Sequence, residues 1–359
     1  MRALCLYAGP AARQWIEKQG LQAADIAVLA GAAGGPKGLI LGALDRYIFG
    51  QWLAQSNQQV HLVGASIGAW RMAAACLNEP VAAFLRLEHD YIRQHYELKA
   101  GEKRPSAATV SRLFGESLRA FYDGRIQEIL AHPRFRLHVF TAHGRQLLGR
   151  EQRYRTALGF MGAWLCNLVQ RRALGGWLER VVFSTPGATL PFDCSDYPTR
   201  QFDLSHANFN LALQASCSIP FVLEAVHDIP GAPPGAYWDG GLTDYHLHLN
   251  YTAGAGAQGL VLYPHFQRAV VPGWLDKHLK WRHGSSAFLD NMLLLAPNPE
   301  WVRTLPNAKL PDRTDFVHYG HDLASRVRDW SAATAASVQL AEEFDGWLRK
   351  PDVKLVQAL

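Results

Sequence analysis

At 359 residues, with 48% hydrophobic and 19% charged residues, the chain has too much apolar content for a disordered protein and length for one large domain or two modest ones. A net charge of +5, scattered along the chain, is too mild to point to nucleic acid and is compatible with an anionic lipid surface or plain solubility charge. The five cysteines, Cys5, Cys76, Cys166, Cys194 and Cys217, are odd in number and never form a CxxC pair, which argues against a disulfide framework and a zinc knuckle and for a reducing compartment.

The first twenty residues contain no sustained apolar run followed by a small-residue cleavage site, and no stretch reaches the ~18 apolar residues a membrane span needs. The expected location is cytoplasmic, with peripheral membrane contact left open. The first expected strand is Ile26 to Ala30, followed by a Gly-rich turn, a helical stretch from Pro36 to about Ala54, and a second strand from Val60 to Val63. This βαβ rhythm predicts parallel strands. A second turn, GASIG, leads into a helix from Ile67 to Leu77 that Asn78 and Pro80 end.

Residues about 84–132 are polar, Arg-rich and helical in pattern, broken by Pro105 and Gly124, and read as an insertion or cap. Further strands are expected at Arg136 to Thr141, Val181 to Ser184, Tyr237 to Trp238 and Gly259 to Tyr263. The Pro/Gly-rich segment Pro230 to Ala236 reads as a rigid turn. A stretch of good helix formers from Asp322 to Lys350 closes the chain, with Leu323, Val327, Trp330 and Val338 as its expected packing residues. The pattern as a whole predicts an α/β layered fold.

Three segments carry the chemistry. GASIG, Gly64 to Gly68, lies between a strand and a helix, the setting of a nucleophile elbow. A serine on such a turn is held exposed, the flanking glycines permit close backbone approach, and the helix start behind it favours developing negative charge. AGAAGGPKG, Ala30 to Gly38, is also a strand-turn-helix junction with proline opening the helix. Its backbone N–H groups could form an oxyanion hole or cradle a phosphate, although neither GxGxxG nor GxxxxGK[ST] is satisfied. YWDGGLTDY, Tyr237 to Tyr245, ends a strand on an acid. Asp239 is either a general base beside a serine hydroxyl or a structural Asp in an Asx-turn.

Taken together and in this order, these pieces resemble the patatin-like phospholipase family. The family's Gly-rich loop GGGx[RK]G, its GxSxG and its DG[GA] correspond to Ala33 to Gly38, Gly64 to Gly68 and Asp239 to Gly241, and Leu213 to Val226 is similar to the small-residue stretch that precedes the acid. The resemblance covers roughly residues 26–265. It implies a three-layer α/β/α sandwich with a mainly parallel central sheet, a single domain with a helical insertion and a C-terminal helical extension over about 273–359. It also implies a Ser66–Asp239 dyad, oxyanion donors at Gly34, Gly35 and Gly38, and Lys37 as an anchor for the loop or a head group. Ala33 replaces the usual first glycine and the Asn-x-Pro often found after DGG is missing, which separates the chain from plant and secreted members. The implied reaction is acyl-ester hydrolysis through an acyl-enzyme on lipid-like substrates, and this chemistry calls for no metal or cofactor.

Other readings remain open. A Ser-His-Asp triad could draw on His246, His248 or His265, which follow Asp239 in the order of α/β-hydrolases. A non-catalytic acyl-binding or scaffolding protein could keep the fold, and intracellular polyester breakdown would use the same dyad. His246 and His248 could place two metal ligands on one strand face, without an evident third. The uncharged segment Leu158 to Val169, flanked by arginines, reads as a core helix or as one that contacts acyl chains or membrane. The stretch Lys277 to His283 reads as a solvated face or a head-group contact.

Overall fold

The computed structural model describes residues 1–96, 105–253 and 258–359. Eleven strands join in one sheet: β1 (Leu4–Ala8), β2 (Ile26–Gly31), β3 (Val60–Ala65), β4 (Phe135–Gly144), β5 (Leu178–Ser184), β6 (Thr199–Asp203), β7 (Val226–His227), β8 (Ala236–Asp239), β9 (Leu260–Pro264), β10 (Met292–Pro297) and β11 (Val356–Ala358). The sheet order is β11-β1-β10-β9-β2-β3-β4-β5-β6, with β8 pairing β4 and β7 pairing β8. The pairs β10–β9, β9–β2, β2–β3, β3–β4, β5–β6 and β1–β11 are parallel, while β1–β10, β4–β5, β4–β8 and β7–β8 are antiparallel. The chain is thus an α/β fold with a mostly parallel central sheet, as its alternating pattern predicts.

Each strand expected from sequence is present; five are extended by one or more residues, and the one expected over Gly259 to Tyr263 is shifted by one residue to Leu260–Pro264. Every residue of β2, β3, β5, β9 and β10 is buried, and β2, β9 and β10 accordingly read as continuous apolar runs, while β3 carries His61 and β5 carries Glu179 and Arg180. Fully burying each such aliphatic side chain contributes roughly 1.5–3 kcal/mol. The strands without an expectation, β1, β6, β7, β10 and β11, lie mostly at the sheet's ends. Of these β6 is only partly buried, and its TRQFD carries no apolar run.

The helical stretch expected over 36–54 differs in kind. It is a 3₁₀ segment Gly35–Leu41, an α-helix Gly42–Tyr47, a π turn Ile48–Trp52 and a 3₁₀ turn Leu53–Gln55. Glycines at 38, 42 and 50 weaken α-helix over this run, and tertiary contact sets the local winding instead. The elbow helix is Ile67–Ala75, entirely buried. In the insertion, helices run Pro80–Arg93, Ala107–Tyr122 and Ile126–Leu130, with Gly124 at φ +80° in the break before the last. Its residues 97–104, and 254–257 within the expected core, lie outside the described residues.

The single closing helix expected over 322–350 is two, Leu323–Ala336 and Val338–Arg349. Ser337 between them donates its hydroxyl to the Thr334 carbonyl (2.6 Å), which ends the first helix. Trp330 is buried and donates Nε1–H to Asp315 (2.9 Å), but Val338 points to solvent and is no packing residue. Among the described residues no helix is long and apolar enough to cross a membrane.

Candidate active site

Strand register explains how Ser66 and Asp239 meet across 173 positions of sequence. β5 occupies one edge of β4 from His138 to Gly144. β3 pairs the other edge up to Ala65 opposite Phe140, and β8 takes over that same edge in the opposite direction, with Asp239 opposite Thr141. The two strands therefore end head to head, and the residues at their tips converge. Ser66 donates its hydroxyl proton to Asp239 Oδ2 over 2.9 Å. Both side chains are buried, at 4% and 6% exposure.

The elbow is held by sequence-specific means. Ser66 has φ 56° and ψ −127°, a backbone conformation that costs a non-glycine residue on the order of 1–3 kcal/mol. Its N–H donates to Ser216 Oγ (2.9 Å), and that hydroxyl donates to the Phe140 carbonyl (2.6 Å), so the strained turn is pinned to β4. A Cβ on Gly68 would stand 1.8 Å from the Gly31 carbonyl oxygen, and one on Gly64 would stand 2.5 Å from Ala69 Cα. Gly68→Ala is therefore expected to destabilise the protein by about 3 kcal/mol, as read from the urea midpoint, because backbone rather than a flexible side chain must give way.

Asp239 is fixed on its other oxygen. Oδ1 accepts from the Gly241 N–H (2.7 Å), an Asx-type turn, so the base and turn readings of this residue coexist in one geometry. Gly240 is confined by the Phe140 carbonyl, 2.1 Å from where its Cβ would be. Burial pushes the Asp239 carboxyl above the ordinary carboxylate range. The charge of Arg313, the Gly241 N–H, the Ser66 hydroxyl and the charge of Lys277 oppose that rise, in this order.

The Gly-rich loop leaves β2 beside the elbow, since Gly31 pairs Gly64 in parallel register. Both turns thus sit at the carboxyl ends of neighbouring parallel strands, where open α/β sheets gather ligands. Gly35 opens the 3₁₀ segment at φ +58°, and first-turn N–H groups of a helix have no partner within it. Gly38 is the fourth residue of the segment, where the amide joins the i→i−3 ladder. A Cβ there would press on Ile67 at 3.2 Å. Ala33 donates its N–H to the Tyr245 carbonyl (3.0 Å), tying the loop to the helix that follows Asp239. A second tie is the buried pair Arg71–Asp45, two bonds of 2.7 Å joining the elbow helix to the helix Gly42–Tyr47 behind the loop. Lys37 is half-buried, its Nζ 5.3 Å above the Phe266 ring.

The histidines are engaged elsewhere. His246 Nδ1 lies against the Ala269 carbonyl (3.1 Å) and the Val271 N–H (3.0 Å), His248 Nε2 against Ser286 Oγ (3.3 Å), and His265 Nδ1 accepts from the Gln267 N–H (3.0 Å). Burial holds the imidazoles of His246 and His265 well below their ordinary proton affinity. Among the described residues no histidine hydrogen-bonds Ser66 or Asp239, so the site is a serine with a carboxylate directly on it.

Several neighbours of the dyad carry no catalytic expectation from sequence, although Lys277 opens the stretch read as a solvated face or head-group contact. Ser216 and Cys217 lie in the small-residue stretch before the acid. The Cys217 thiol is pushed up by burial and by the Asp239 charge, and a hydrogen bond with the Ser66 side chain opposes this. Arg313 and Lys277 come from beyond β9. A guanidinium nitrogen of Arg313, Nε, lies 3.1 Å from where a Gly35 Cβ would be, and Lys277 Nζ lies 4.3 Å above the Tyr245 ring. Only long-range folding brings these two to the site, so no local motif places either of them beside the dyad.

The segment Leu158 to Val169 belongs to a helix Arg153–Val169 whose inward face is small or polar, Thr156, Gly159, Ala163 and Asn167, apart from Phe160, which packs on Trp238. Its large apolar residues face outward, with Tyr154 74% and Val169 86% exposed and Leu158, Met161, Trp164, Leu165 and Leu168 between them. Phe221, packed on Phe160, and Trp281 extend the exposed apolar surface. The core-helix reading of these residues is therefore replaced by a surface one.

No protein-family model matches the chain, and a search of curated proteins finds no similar sequence.

Proposed function

We propose that the protein is a serine acyl-ester hydrolase of the patatin-like kind, acting on lipid-like esters through the Ser66–Asp239 dyad. The observation that carries this reading is the 2.9 Å bond from a strained, glycine-flanked serine to a buried carboxylate of raised proton affinity. Asp239 takes the hydroxyl proton as Ser66 Oγ attacks the ester carbonyl. N–H groups of the Gly34–Gly35 turn receive the oxyanion, and the alcohol departs with the proton. Water, deprotonated by the same carboxylate, then frees the acid from the acyl-enzyme. The fully buried central strands, which imply cover on both faces, support the three-layer α/β/α arrangement of that family.

The outward apolar face of the helix Arg153–Val169 supports a lipid substrate met at a membrane surface. Exposed Arg153, Arg155 and Arg172 lie at its ends and Lys280 nearby, the pairing of apolar face and basic rim that anionic bilayers attract. The double variant Met161→Ser/Leu165→Ser is expected to lower partition onto vesicles containing phosphatidylglycerol by roughly tenfold or more, measured by co-sedimentation.

The reading as a whole is tested by release of p-nitrophenol from butyrate and decanoate esters and of thiol from a decanoyl thioester. The expected result is turnover with a pre-steady-state burst of alcohol or thiol. A chain that binds these compounds without releasing product is an acyl-binding protein instead.

A further inference from the structure

Three cations, Lys37, Lys277 and Arg313, stand around the dyad and make no ion pair among the described residues. Arg313 sits on the loop Lys309 to Asp315, whose own acids are consumed internally. Lys309 Nζ binds Asp312 (2.9 Å) and Asp315 (2.6 Å), Asp312 accepts from Thr314, and Asp315 accepts from Trp330 and the Asp312 N–H. The loop is thereby stiffened, and its guanidinium is left lying against the Gly35 backbone with no ion pair among the described residues.

Lys277 is similar. The neighbouring acid, Asp276, is fully buried and already held by Asn167 (2.8 Å), Arg171 (3.1 Å) and Arg282 (2.9 Å). Lys277 Nζ rests instead between the rings of Tyr245 (4.3 Å) and Trp274 (5.4 Å). Lys37 Nζ has only the Phe266 face, with Asp312 acting on it at longer range. All three border the Gly-rich loop and the acid turn: Arg313 Nε lies 3.1 Å from where a Gly35 Cβ would be, the Phe266 ring under Lys37 lies 2.4 Å from where a Gly34 Cβ would be, and the Tyr245 ring under Lys277 lies 3.3 Å from where a Gly241 Cβ would be. Consistent with this, burial, then the charges of Arg313 and Lys37, push the Lys277 ammonium down to about 8. Asp239, on which the charges of Arg313 and Lys277 act, has its oxygens occupied by the Ser66 hydroxyl and the Gly241 N–H.

Lys37 and Lys277 are half-buried and Arg313 is exposed beside them, and gathering like charges where two of the three are partly desolvated is costly unless an anion enters the site. We propose that Lys277, Arg313 and Lys37 form an anion subsite beside the dyad, which selects acyl esters carrying an acidic group, carboxylate or phosphate, close to the scissile bond. The proposal rests on the acyl-hydrolase reading for the word ester. The subsite itself rests on three cations that make no ion pair among the described residues. Arg313 offers a planar fork to two oxygens and sits nearest the Gly-rich loop, while Lys277 and Lys37 offer point charges from either side. An acyl ester without an acidic group leaves all three unmatched.

The test uses the full chain and the variants Arg313→Gln and Lys277→Gln. One arm compares p-nitrophenyl hemisuccinate with p-nitrophenyl butyrate, which places a carboxylate on the acyl side. The other compares a lysophosphatidic acid with the matching monoacylglycerol, which places a phosphate on the alcohol side. The wild type is expected to prefer the anionic member of at least one pair by roughly tenfold or more in kcat/KM, and each variant to erase most of that preference. The pair that responds identifies the source of the anion.

Calorimetric binding of hexyl phosphate and hexanoate gives a readout that needs no turnover, and is expected to weaken about tenfold in each variant. No anionic preference in the wild type, or preference and binding that both variants keep, overturns the subsite. Absence of turnover on every ester with anion binding intact overturns the hydrolase reading and leaves the subsite standing.

Discussion

Asp239→Asn is expected to lower kcat by about 1,000- to 10,000-fold while raising, not lowering, thermal stability at neutral pH. The two effects have one cause. Buried at 6% exposure, the carboxylate is costly to ionise, and its proton affinity is raised mainly by burial. A carboxyl whose folded pKa lies above its unfolded value contributes stability that is complete below the unfolded value and lost as pH rises through the folded one. Asparagine keeps an oxygen for the Gly241 N–H and carries no charge to bury, so the variant's advantage in melting temperature should be smallest in acid and widen as the pH rises above the ordinary carboxylate range. Circular-dichroism melts at a series of pH values from acid to neutral measure it. A variant less stable than wild type at neutral pH would mean that the Arg313 and Lys277 charges outweigh burial. The same shift fixes the acid limb of the wild-type kcat/KM profile above the ordinary carboxylate range, because only the ionised form accepts the serine proton.

Replacing Ser66 is expected to be as severe for activity, about 1,000-fold or more, and to separate backbone strain from chemistry. Alanine at φ 56° inherits the strain of serine, whereas glycine adopts that conformation readily. Ser66→Gly should therefore be more stable than Ser66→Ala by about 1 kcal/mol in urea denaturation, with neither able to form an acyl-enzyme. Equal stability of the two would show that the Ser216 bond and the packed elbow helix, rather than local preference, set the turn.

What could be read from sequence follows a physical boundary. GASIG and DGG are legible because backbone crowding writes itself into glycine: Gly68 against the Gly31 carbonyl and Gly240 against the Phe140 carbonyl admit no Cβ. The buried parallel strands are legible because cover on both faces demands continuous apolar runs such as IAVLAG and LVLYP. The convergence of Ser66 with Asp239 is different. It depends on β3 and β8 sharing one edge of β4, a property of sheet order that spacing along the chain does not encode. Arg313 and Lys277 reach the site by the same long-range route. The exposed face of Arg153–Val169 was ambiguous for another reason. An uncharged amphipathic segment reads alike whether its large or its small residues turn inward, and here Gly159 and Ala163 do.

The most direct measurement is peptide-mapped mass spectrometry of the protein after reaction with a fluorophosphonate. The dyad predicts a single adduct on the peptide containing Ser66, formed with loss of fluoride, absent in Ser66→Ala and strongly slowed in Asp239→Asn. No adduct on the wild-type protein, or one on another residue that survives Ser66→Ala, would contradict it.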